Sequence, residues 1–319
     1  MCYSARIVSD WRRYQRAYGA ELSLEDFYEL FWRRSQDGKV KVPKAMELAF
    51  AEPRDDIERR IKDLIDQFNA QEIVRVEQEL FKQRKRLADA ERSLQTKTTK
   101  TATESKRIAA DKVEWLLGKR SALRRTEPEE EDARIFPGYY VPLIVVEGGR
   151  RVIKPMRYQC RPAGKPAFYD TKFPGTYNAR RDNLGSFWSE LFGYSHGLML
   201  VTAFFENVSR HRAEGRELAT DEKAQNLVLE FKPQPEQEML VACLWSRWTA
   251  PGEPDLLSCA AITDEPPPEV AAAGHDRCIV PIKPQNIDAW LRPDANALEA
   301  QQAILEDRAR PYYEHRLAA

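Results

Sequence analysis

The chain has 319 residues, of which 42% are hydrophobic, and its 50 basic residues balance its 50 acidic ones, so the formal net charge is zero. This length and apolar content suffice for one large domain or two ordinary ones, and the zero net charge argues against a surface that is uniformly basic. No apolar run approaches the roughly 18–20 residues that span a bilayer, and the first residues lack the apolar block of a signal peptide. We therefore expect a cytoplasmic protein with no membrane partner.

The first two residues, Met1 and Cys2, carry a chemistry that internal positions lack. If Met1 is removed, Cys2 holds a thiol and a free α-amine two carbons apart, and such a pair can close a five-membered thiazolidine ring on an aldehyde. The amine and the thiol are both partly nucleophilic at neutral pH. The alternative is that Cys2 is only the second residue of the start peptide. The alternation over residues 3–8 predicts a short strand, which would hold Cys2 in place.

The next hundred residues are predicted to be mainly helical. Residues 10–35 have a helical pattern, and Ser23 stands three residues before Asp26, the spacing of a helix start. A long amphipathic helix is predicted from Asp56 to about Leu94, where apolar residues recur at helical spacing. A polar break over residues 96–105 separates it from a second helical pattern over residues 106–125. The two together predict a helical hairpin.

This hairpin carries a concentrated positive charge. Residues 82–125 contain fourteen Lys and Arg against five Asp and Glu, a local net charge of +9. One interpretation is a self-packing coiled coil with incidental charge, and the other is a basic arm that lies along nucleic acid phosphates.

Beyond the acidic linker at residues 127–132 the pattern changes to strands. A strand, a Gly-Gly turn and a second strand are predicted over residues 139–154, followed by strands at 198–205, 227–231, 239–248 and 256–262, with helices at 181–190, 285–291 and 296–309. We therefore predict an α+β fold: a mixed, largely antiparallel β-sheet domain with an inserted long α-helical hairpin.

The other cysteines give no sign of a disulfide framework or a zinc site. They are widely spaced and contain no Cys-x-x-Cys pair, and in the cytosol we expect them to be reduced. We interpret them as small buried hydrophobic residues and predict no metal and no cofactor. They are Cys160, Cys243, Cys259 and Cys278.

Three further motifs contain residue types suited to catalysis or anion binding. In Tyr177-Asn-Ala-Arg180, at the predicted mouth of a helix, an amide and a guanidinium could orient a phosphate; the alternative is a turn Asn and a surface Arg. In Phe204-Phe-Glu-Asn207 an acid among aromatic residues could act as general acid or base, unless it points out of the sheet. In Gly274-His-Asp-Arg277 the imidazole could move a proton, or it could be a loop histidine without a role.

Together with Met1-Cys2, and in this order, these motifs resemble the SOS response-associated peptidase family, also described as abasic-site processing proteins. The segments Tyr140-Val-Pro-Leu-Ile and Lys154-Pro-Met-Arg-Tyr also look like elements of that family. The resemblance covers residues 1–8 and roughly 135–292. It implies a catalytic domain formed by residues 1–10 and 130–319, with residues 11–129 as a helical insertion that includes the basic hairpin at about 56–125.

The resemblance also implies a substrate, an activity and site residues. The substrate would be the ring-opened aldehyde of an abasic site in single-stranded DNA, on which Cys2 forms a thiazolidine DNA–protein crosslink that shields the lesion. Asn178 would hold the Cys2 amine, while Glu206 and His275 would move protons. Arg180 would bind a phosphate, and Arg157, Arg6 and Arg277 would be further DNA contacts. The protein would be a monomer, cytoplasmic and associated with the nucleoid.

Some positions depart from the family pattern, and two other functions stay open. Tyr3 and Ser4 stand where the family commonly has Gly-Arg, so a DNA contact could move to Arg6; Asn207 and Cys278 replace a frequent Trp and Met. One alternative is an N-terminal-cysteine hydrolase or peptidase, with autocatalytic removal of Met1 or lyase-like activity. The other is a non-catalytic DNA-binding adaptor that uses the basic hairpin.

Overall fold

The computed structural model describes residues 3–318. The predicted hairpin and the helices predicted near the C-terminus are present in the structure, together with shorter helices. They are α1 (Trp11–Tyr18), α2 (Leu24–Gln36), α3 (Lys44–Leu48), α4 (Asp56–Thr96), α5 (Lys100–Arg124), α6 (Tyr169–Lys172), α7 (Arg210–Ala213), α8 (Pro268–Ala272), α9 (Ile287–Leu291) and α10 (Leu298–Glu306).

The strands belong to one sheet, which is mixed and largely antiparallel. They are β1 (Ser4–Ile7), β2 (Glu21–Leu22), β3 (Arg134–Ile135), β4 (Tyr140–Glu147), β5 (Arg150–Tyr158), β6 (Asn178–Arg180), β7 (His196–Ser209), β8 (Asn226–Gln234), β9 (Met239–Ala250), β10 (Glu253–Asp264), β11 (Cys278–Ile279) and β12 (Tyr312–Leu317). The predicted fold class, an α+β fold with an inserted helical hairpin, is confirmed.

Five of the strands close into a ring. β10 pairs with β5 in parallel, β5 with β4, β4 with β7, β7 with β9, and β9 again with β10, the last four pairs antiparallel. Closure leaves these strands without a free edge, and their inward side chains form a continuous core. β7 is accordingly buried along most of its length rather than alternating between buried and exposed residues.

Gly197 of β7 allows two other elements, β4 and α9, to pack closely against this strand. At Gly197 an added Cβ would lie 2.6 Å from the side chain of Leu143, so only glycine allows this approach of β7 to β4. Beside it, the indole N–H of Trp290 donates to the Gly197 carbonyl over 3.0 Å, which fixes α9 on the strand.

The strand that follows Cys2 lies between β3 and β7. β1 pairs antiparallel with both, and its register places Ser4 opposite Phe205 and Ala5 opposite Phe204. Ala5 and Ile7 are buried at 3% exposure each, so the burial of this short strand stabilises its position. Residues 4–7 are therefore part of the sheet core and not a frayed end.

Contacts between Cα atoms divide the chain into two compact units. One comprises the described residues of 1–27, 40–49 and 129–319 and contains the sheet; the other comprises residues 28–39 and 50–128. The predicted division at residues 1–10, 11–129 and 130–319 stays a prediction.

The second unit contains the hairpin of α4 and α5. Asp55 and Thr99 cap the two helices, since their side chains accept hydrogen bonds from the amides of Glu58 and Ala102. The helices pack together through Val76, Leu80 and Leu116, with Val113, Leu117 and Leu123 partly buried against them. This apolar seam is the physical reason that so charged a segment folds as a pair of helices.

Two predicted helices differ in the structure. The pattern over residues 10–35 gives two helices, because Gly19 ends α1 in the left-handed region at φ 60° and β2 intervenes. Residues 181–190 form only a 3-10 turn over Arg181–Asn183, followed by irregular turns. Within residues 3–318 no helix combines the length and apolarity needed to cross a membrane.

Candidate functional site

The centre of the candidate site is a buried pair formed by Glu206 and His275. Glu206 lies on β7 with no exposed surface, and His275 lies in the loop between α8 and β11 with 8% exposure. The imidazole Nε2 is 3.1 Å from Oε2 of Glu206. Two motifs that stand 69 positions apart in the sequence are thus in direct contact.

Backbone groups hold the imidazole of His275 in this orientation. Its Nδ1 lies 2.9 Å from the carbonyl oxygen of Arg277, and the Arg277 amide donates to the same atom over 3.2 Å. Burial lowers the pKa of His275, and the hydrogen bond to the Arg277 backbone opposes that shift only in part. Burial thus favours the neutral imidazole, whose Nε2 faces the Glu206 carboxyl group and can exchange a proton with it.

The glycine before His275 allows the loop to turn. Gly274 has φ 93°, in the left-handed region, and a Cβ at this position would lie 3.0 Å from the side chain of Arg212. A side chain would therefore be both strained and crowded here. The Gly-His-Asp-Arg motif thus needs glycine at its first position for steric reasons, in addition to the titratable His275.

Asn178 begins β6 and is almost completely buried, with 5% exposure. β6 runs parallel to β10, with Asn178 opposite Ala261. Neither polar atom of its side-chain amide has a hydrogen-bond partner among residues 3–318. Leaving a buried amide unsatisfied costs about 1–3 kcal/mol, so such a group indicates a partner outside the described protein atoms.

Arg180 and Arg277 face the same carboxylate. The guanidinium of Arg180 donates to both oxygens of Asp182, from Nε over 3.0 Å and from Nη2 over 2.5 Å, and Nη2 of Arg277 lies 3.9 Å from Asp182. The hydrogen bonds raise the pKa of Arg180 and lower the pKa of Asp182. The cluster carries two positive charges and one negative charge, and it joins the Asn-Ala-Arg motif to the His-Asp-Arg motif.

The chain next to Cys2 contacts two of these motifs. Cys2 itself lies outside the described residues. The ring of Tyr3 packs edge-on against Tyr177, with centroids 6.1 Å apart, and Tyr177 directly precedes Asn178. Ser4 pairs with Phe205, which directly precedes Glu206. The first described residues therefore lie beside the neighbours of both Asn178 and Glu206.

Arg6, another predicted DNA contact, lies among carboxylates. Its side chain is 8% exposed, Nη1 donates to the buried Glu230, and Nη2 is 3.2 Å from Glu130. Burial alone raises the pKa of Glu230, but the hydrogen bonds from Arg316 and Arg6 outweigh it and the pKa is lowered. The charge of Arg6 is thus compensated inside the protein, and its contact with DNA stays a prediction.

Arg157 is similarly engaged with an acid. It donates to Asp170 over 2.7 Å, and Arg161 donates to the same carboxylate, over 3.0 Å from its Nε. The Nη2 atom of Arg157 is buried without a hydrogen-bond partner among residues 3–318. Two guanidinium groups around one carboxylate leave a net positive charge here, and the role of Arg157 in DNA binding stays a prediction.

Three residues of this region were not found from the sequence. Asp182 follows the Asn-Ala-Arg motif closely, so its spacing offered a signal. Asp170 and Thr263 offered none, because Asp170 meets Arg157 and Arg161 through side-chain contacts made from α6, and Thr263 joins the site through the pairing of β10 with β6. Thr263 lies opposite Arg180 on β10, is fully buried, and its hydroxyl has no hydrogen-bond partner within the described chain.

The setting of the Asn-Ala-Arg motif also differs from the prediction. The motif was expected at the mouth of a helix, whereas it forms a strand followed by a three-residue 3-10 turn. A helix dipole is therefore not available to an anion at this point, and the attraction has to come from arginine side chains.

The remaining cysteines are free and buried, as predicted. Burial raises the pKa of the Cys160 thiol to about 12 and also raises the pKa values of Cys243, Cys259 and Cys278. Such thiols are poor nucleophiles at neutral pH. Over residues 3–318 no group of three His, Cys, Asp or Glu side chains is arranged to hold a metal ion.

Solved structures from bacteria are similar to part of the chain. A protein from Bordetella bronchiseptica is 18% identical, with 59% of this chain and 87% of that chain covered and a TM-score of 0.45. A protein from Bacteroides thetaiotaomicron is 14% identical, with coverages of 59% and 78% and a TM-score of 0.45. A phage-related protein from Bordetella bronchiseptica is 15% identical, with coverages of 61% and 85% and a TM-score of 0.44.

No curated protein matches the chain. A family model described as SOS response associated peptidase (SRAP) matches residues 91–318, which is well over half of the chain and includes Asn178, Glu206 and His275. Residues 1–90, Cys2 among them, lie outside the matched range. The chain belongs to the SOS response associated peptidase (SRAP) family.

Proposed function

We propose that this protein forms a covalent crosslink between Cys2 and an abasic site in single-stranded DNA. Membership of the family supports a function in the DNA-damage response. After removal of Met1, the α-amine of Cys2 adds to the aldehyde carbon of the ring-opened sugar, and loss of one water gives an imine. The thiol sulfur then bonds to the same carbon while the imine nitrogen takes up a proton, which completes a thiazolidine.

The buried pair of Glu206 and His275 supplies the proton transfers that this reaction needs. An aldehyde is attacked by a neutral amine, and the departing hydroxyl has to be protonated. The two groups, 3.1 Å apart at Nε2 and Oε2, give a proton in the second step and recover one in ring closure. This pair, with Ser4 anchored opposite Phe205, is the observation that carries the proposal.

Asn178 holds the amine of Cys2 in this proposal. Its amide is buried and unsatisfied within the described chain, so it can accept one hydrogen bond from an amine and donate another. Tyr3 packs against the residue before it, which supports a short distance between Cys2 and the amide. Positioning of this kind converts a bimolecular attack into an effectively unimolecular one.

Arginines provide the attraction for the flanking phosphates. Arg180 is the strongest candidate because its side chain is 43% exposed and lies beside Arg277 at the edge of the site. Arg157 and Arg6 are proposed as weaker contacts, since both already serve carboxylates of the protein. DNA binding should therefore depend more on Arg180 than on either of them.

The proposal is tested with a single-stranded oligonucleotide that contains one abasic site. The purified protein should give a heat-stable crosslinked band on a denaturing gel, and Cys2→Ala should give none. Cys243→Ala is the matched control, because that thiol is buried and should not react. Normal crosslinking by Cys2→Ala would overturn the proposal.

An N-terminal-cysteine peptidase is the second candidate, favoured by the family description. There the thiol of Cys2 attacks a carbonyl carbon and His275 accepts its proton. Release of amide fragments from peptides by the wild type, lost in Cys2→Ala and accompanied by no crosslinked band, would favour this candidate. Both tests include mass spectrometry of the N-terminus, because a retained Met1 leaves Cys2 without a free α-amine.

A further inference from the structure

The loop end of the α4–α5 hairpin contains an open groove of 570 Å³. We name it the hairpin groove and define it by its lining residues: Lys82, Lys85, Arg86, Asp89, Ala90 and Ser93 of α4, Thr99 at the start of α5, and Thr101, Ala102 and Ser105 of α5. Three cations, one carboxylate and four hydroxyl groups therefore line one cavity, entirely within the second unit.

The cations of the hairpin groove lie on one face of α4. Lys82, Lys85, Arg86 and Asp89 stand at the spacing i, i+3, i+4 and i+7, which places their side chains side by side. The carboxylate of Asp89 is already paired with Arg92 at 2.7 Å. The groove therefore keeps its positive charge, because its one acid has a partner outside the lining set.

The cations that line the groove make few ion pairs or hydrogen bonds within the described chain. Lys82 lies 3.8 Å from Glu79, a loose pair, and Lys85 has no ion pair among residues 3–318. Arg86 donates from Nε to the hydroxyl of Ser105 over 3.0 Å, which leaves its two terminal nitrogens for a ligand. Elsewhere on the hairpin, by contrast, Lys106 and Arg124 are bound to Glu91 and Glu77.

Hydroxyl protons are available beside these cations. Thr99 Oγ1 accepts from the Ala102 amide and Ser105 Oγ accepts from Arg86, so both hydroxyls have their own protons to donate. Thr101, on the same turn, makes no side-chain hydrogen bond within the described chain. Ammonium, guanidinium and hydroxyl donors converging on one groove suit an anion with several oxygens, and a phosphodiester is such an anion.

We propose that the hairpin groove binds the phosphate backbone of a nucleic acid strand, as a contact separate from the SRAP-type site. The open groove admits a chain rather than enclosing a small anion. No aromatic side chain is among its lining residues, all of which are described, so binding reads no base and needs no lesion. Binding at the groove does not require Cys2 chemistry, and it gives a role to three of the fourteen Lys and Arg residues between positions 82 and 125.

The test uses the full-length protein and a labelled intact oligo-dT strand, with affinity measured by fluorescence anisotropy across a salt series. Lys85→Glu/Arg86→Glu changes two exposed groove cations. Arg84→Glu/Lys112→Glu is the matched control, because both residues are exposed on the same hairpin, lie outside the groove and have no ion pair within the described chain. Circular dichroism checks the helix content of both variants.

The proposal expects a loss of at least tenfold in affinity for the groove variant and less than threefold for the control. The slope of log affinity against log salt should fall by about 1 to 2 in the groove variant alone, since each lost phosphate contact reduces it by roughly 1. Equal losses in both variants, or no loss in the groove variant, would overturn the proposal. If the glutamate variant loses helix content, the same affinity comparison is made with glutamine variants. These are Lys85→Gln/Arg86→Gln for the groove and Arg84→Gln/Lys112→Gln for the control.

Further binding experiments compare RNA, duplex DNA and inorganic phosphate as ligands of the hairpin groove. An RNA strand and a DNA duplex of the same length should show the same dependence on Lys85 and Arg86, because the phosphodiester is shared. Inorganic phosphate should compete only at far higher concentration than the strand. At saturating abasic oligonucleotide the groove variant should crosslink to the wild-type end point, so failure of the groove and failure of the Cys2 chemistry give different results.

Discussion

The Nε2 atom of His275 lies 3.1 Å from the Oε2 atom of Glu206, inside a core where the carboxylate has no exposed surface. Burial lowers the pKa of His275 and so favours its neutral imidazole, which faces the carboxyl group through Nε2. The pair lies beside the strand that follows Cys2, where the proposed imine formation needs a group that gives and takes a proton.

Glu206→Gln should lower the single-turnover crosslinking rate by about 10²-fold or more, because the amide keeps the shape of the carboxylate but carries no transferable proton. His275→Gln should have an effect of similar size. The double variant should be no slower than the slower single variant, since the two act as a unit. Additive losses in quench-flow or gel time courses would contradict the joint action of Glu206 and His275 in proton transfer.

Asn178→Ala should slow crosslinking at least tenfold while changing the unfolding free energy little. The amide makes no hydrogen bond within residues 3–318, so its removal breaks none there. Crosslinking rates and urea denaturation of the same samples separate the two effects. A large loss of stability with an unchanged rate would assign Asn178 a structural role instead.

Charge changes around Asp182 should act in opposite directions. Arg180→Glu removes a phosphate contact and should weaken binding of the abasic strand, whereas Asp182→Asn releases Arg180 and Arg277 and should strengthen it. Asp288→Asn is the control, because Asp288 also lies between two arginines, Arg151 and Arg292. Equal effects of Asp182→Asn and Asp288→Asn on the dissociation constant would count against a phosphate role for Arg180.

Arg6→Ala should lower the unfolding free energy by about 3 kcal/mol, because it leaves the buried carboxylate of Glu230 with fewer cations. Arg13→Ala removes a half-exposed arginine from Glu238 and should cost less than about 1 kcal/mol. Urea denaturation at neutral pH measures both. Equal stabilities for Arg6→Ala and the wild type would show that the Arg6 network is not structural.

His196 should make stability depend on pH between about 4 and 6.5. Burial lowers its pKa to about 4, while its Nδ1 contacts the carbonyl of Trp290 at 3.1 Å. The unfolded chain binds a proton at this residue below its ordinary pKa of about 6.5 and the folded chain does not, so stability rises with pH across this window and is level above it. The contribution lost on acidification is about 3 kcal/mol.

His196→Gln should remove that pH-dependent part. The difference in unfolding free energy between wild type and variant, measured at pH 7 and at pH 4.5, should shrink on acidification. A difference that stays constant between these pH values would mean that folding does not lower the pKa of His196.

The elements with strong local patterns could be predicted from the sequence. The long hairpin follows from apolar residues at helical spacing, and β4, β7, β9 and β10 follow from continuous apolar runs. The helix expected at residues 181–190 does not form, although the buried Leu184 and Trp188 stand at helical spacing; irregular turns bury both side chains instead. The short strands β3 and β6 depend on their partners and have no local signal.

The candidate site could be predicted only through the order of its motifs. From the local sequence alone, Asn178, Glu206 and His275 could each have been residues without a role in catalysis. Only the resemblance to the family indicated that the three belong to one site. Asp170 stayed hidden because its contacts with Arg157 and Arg161 are made by side chains from α6. Thr263 stayed hidden, because β6 meets β10 in a parallel register that no local spacing encodes. The same holds for Ser4 and Phe205, whose pairing anchors the start of the chain.

The covalent chemistry at Cys2 is tested most directly by the mass and linkage of the product. Wild-type protein and Cys2→Ser are incubated with the abasic oligonucleotide, with and without borohydride, and digested for peptide mapping. The wild type should give, without reductant, an adduct at Cys2 whose mass is the sum of both partners less one water, while Cys2→Ser should give an adduct only with borohydride. An adduct on any other residue, or a reductant-independent adduct in Cys2→Ser, would contradict the proposed thiazolidine.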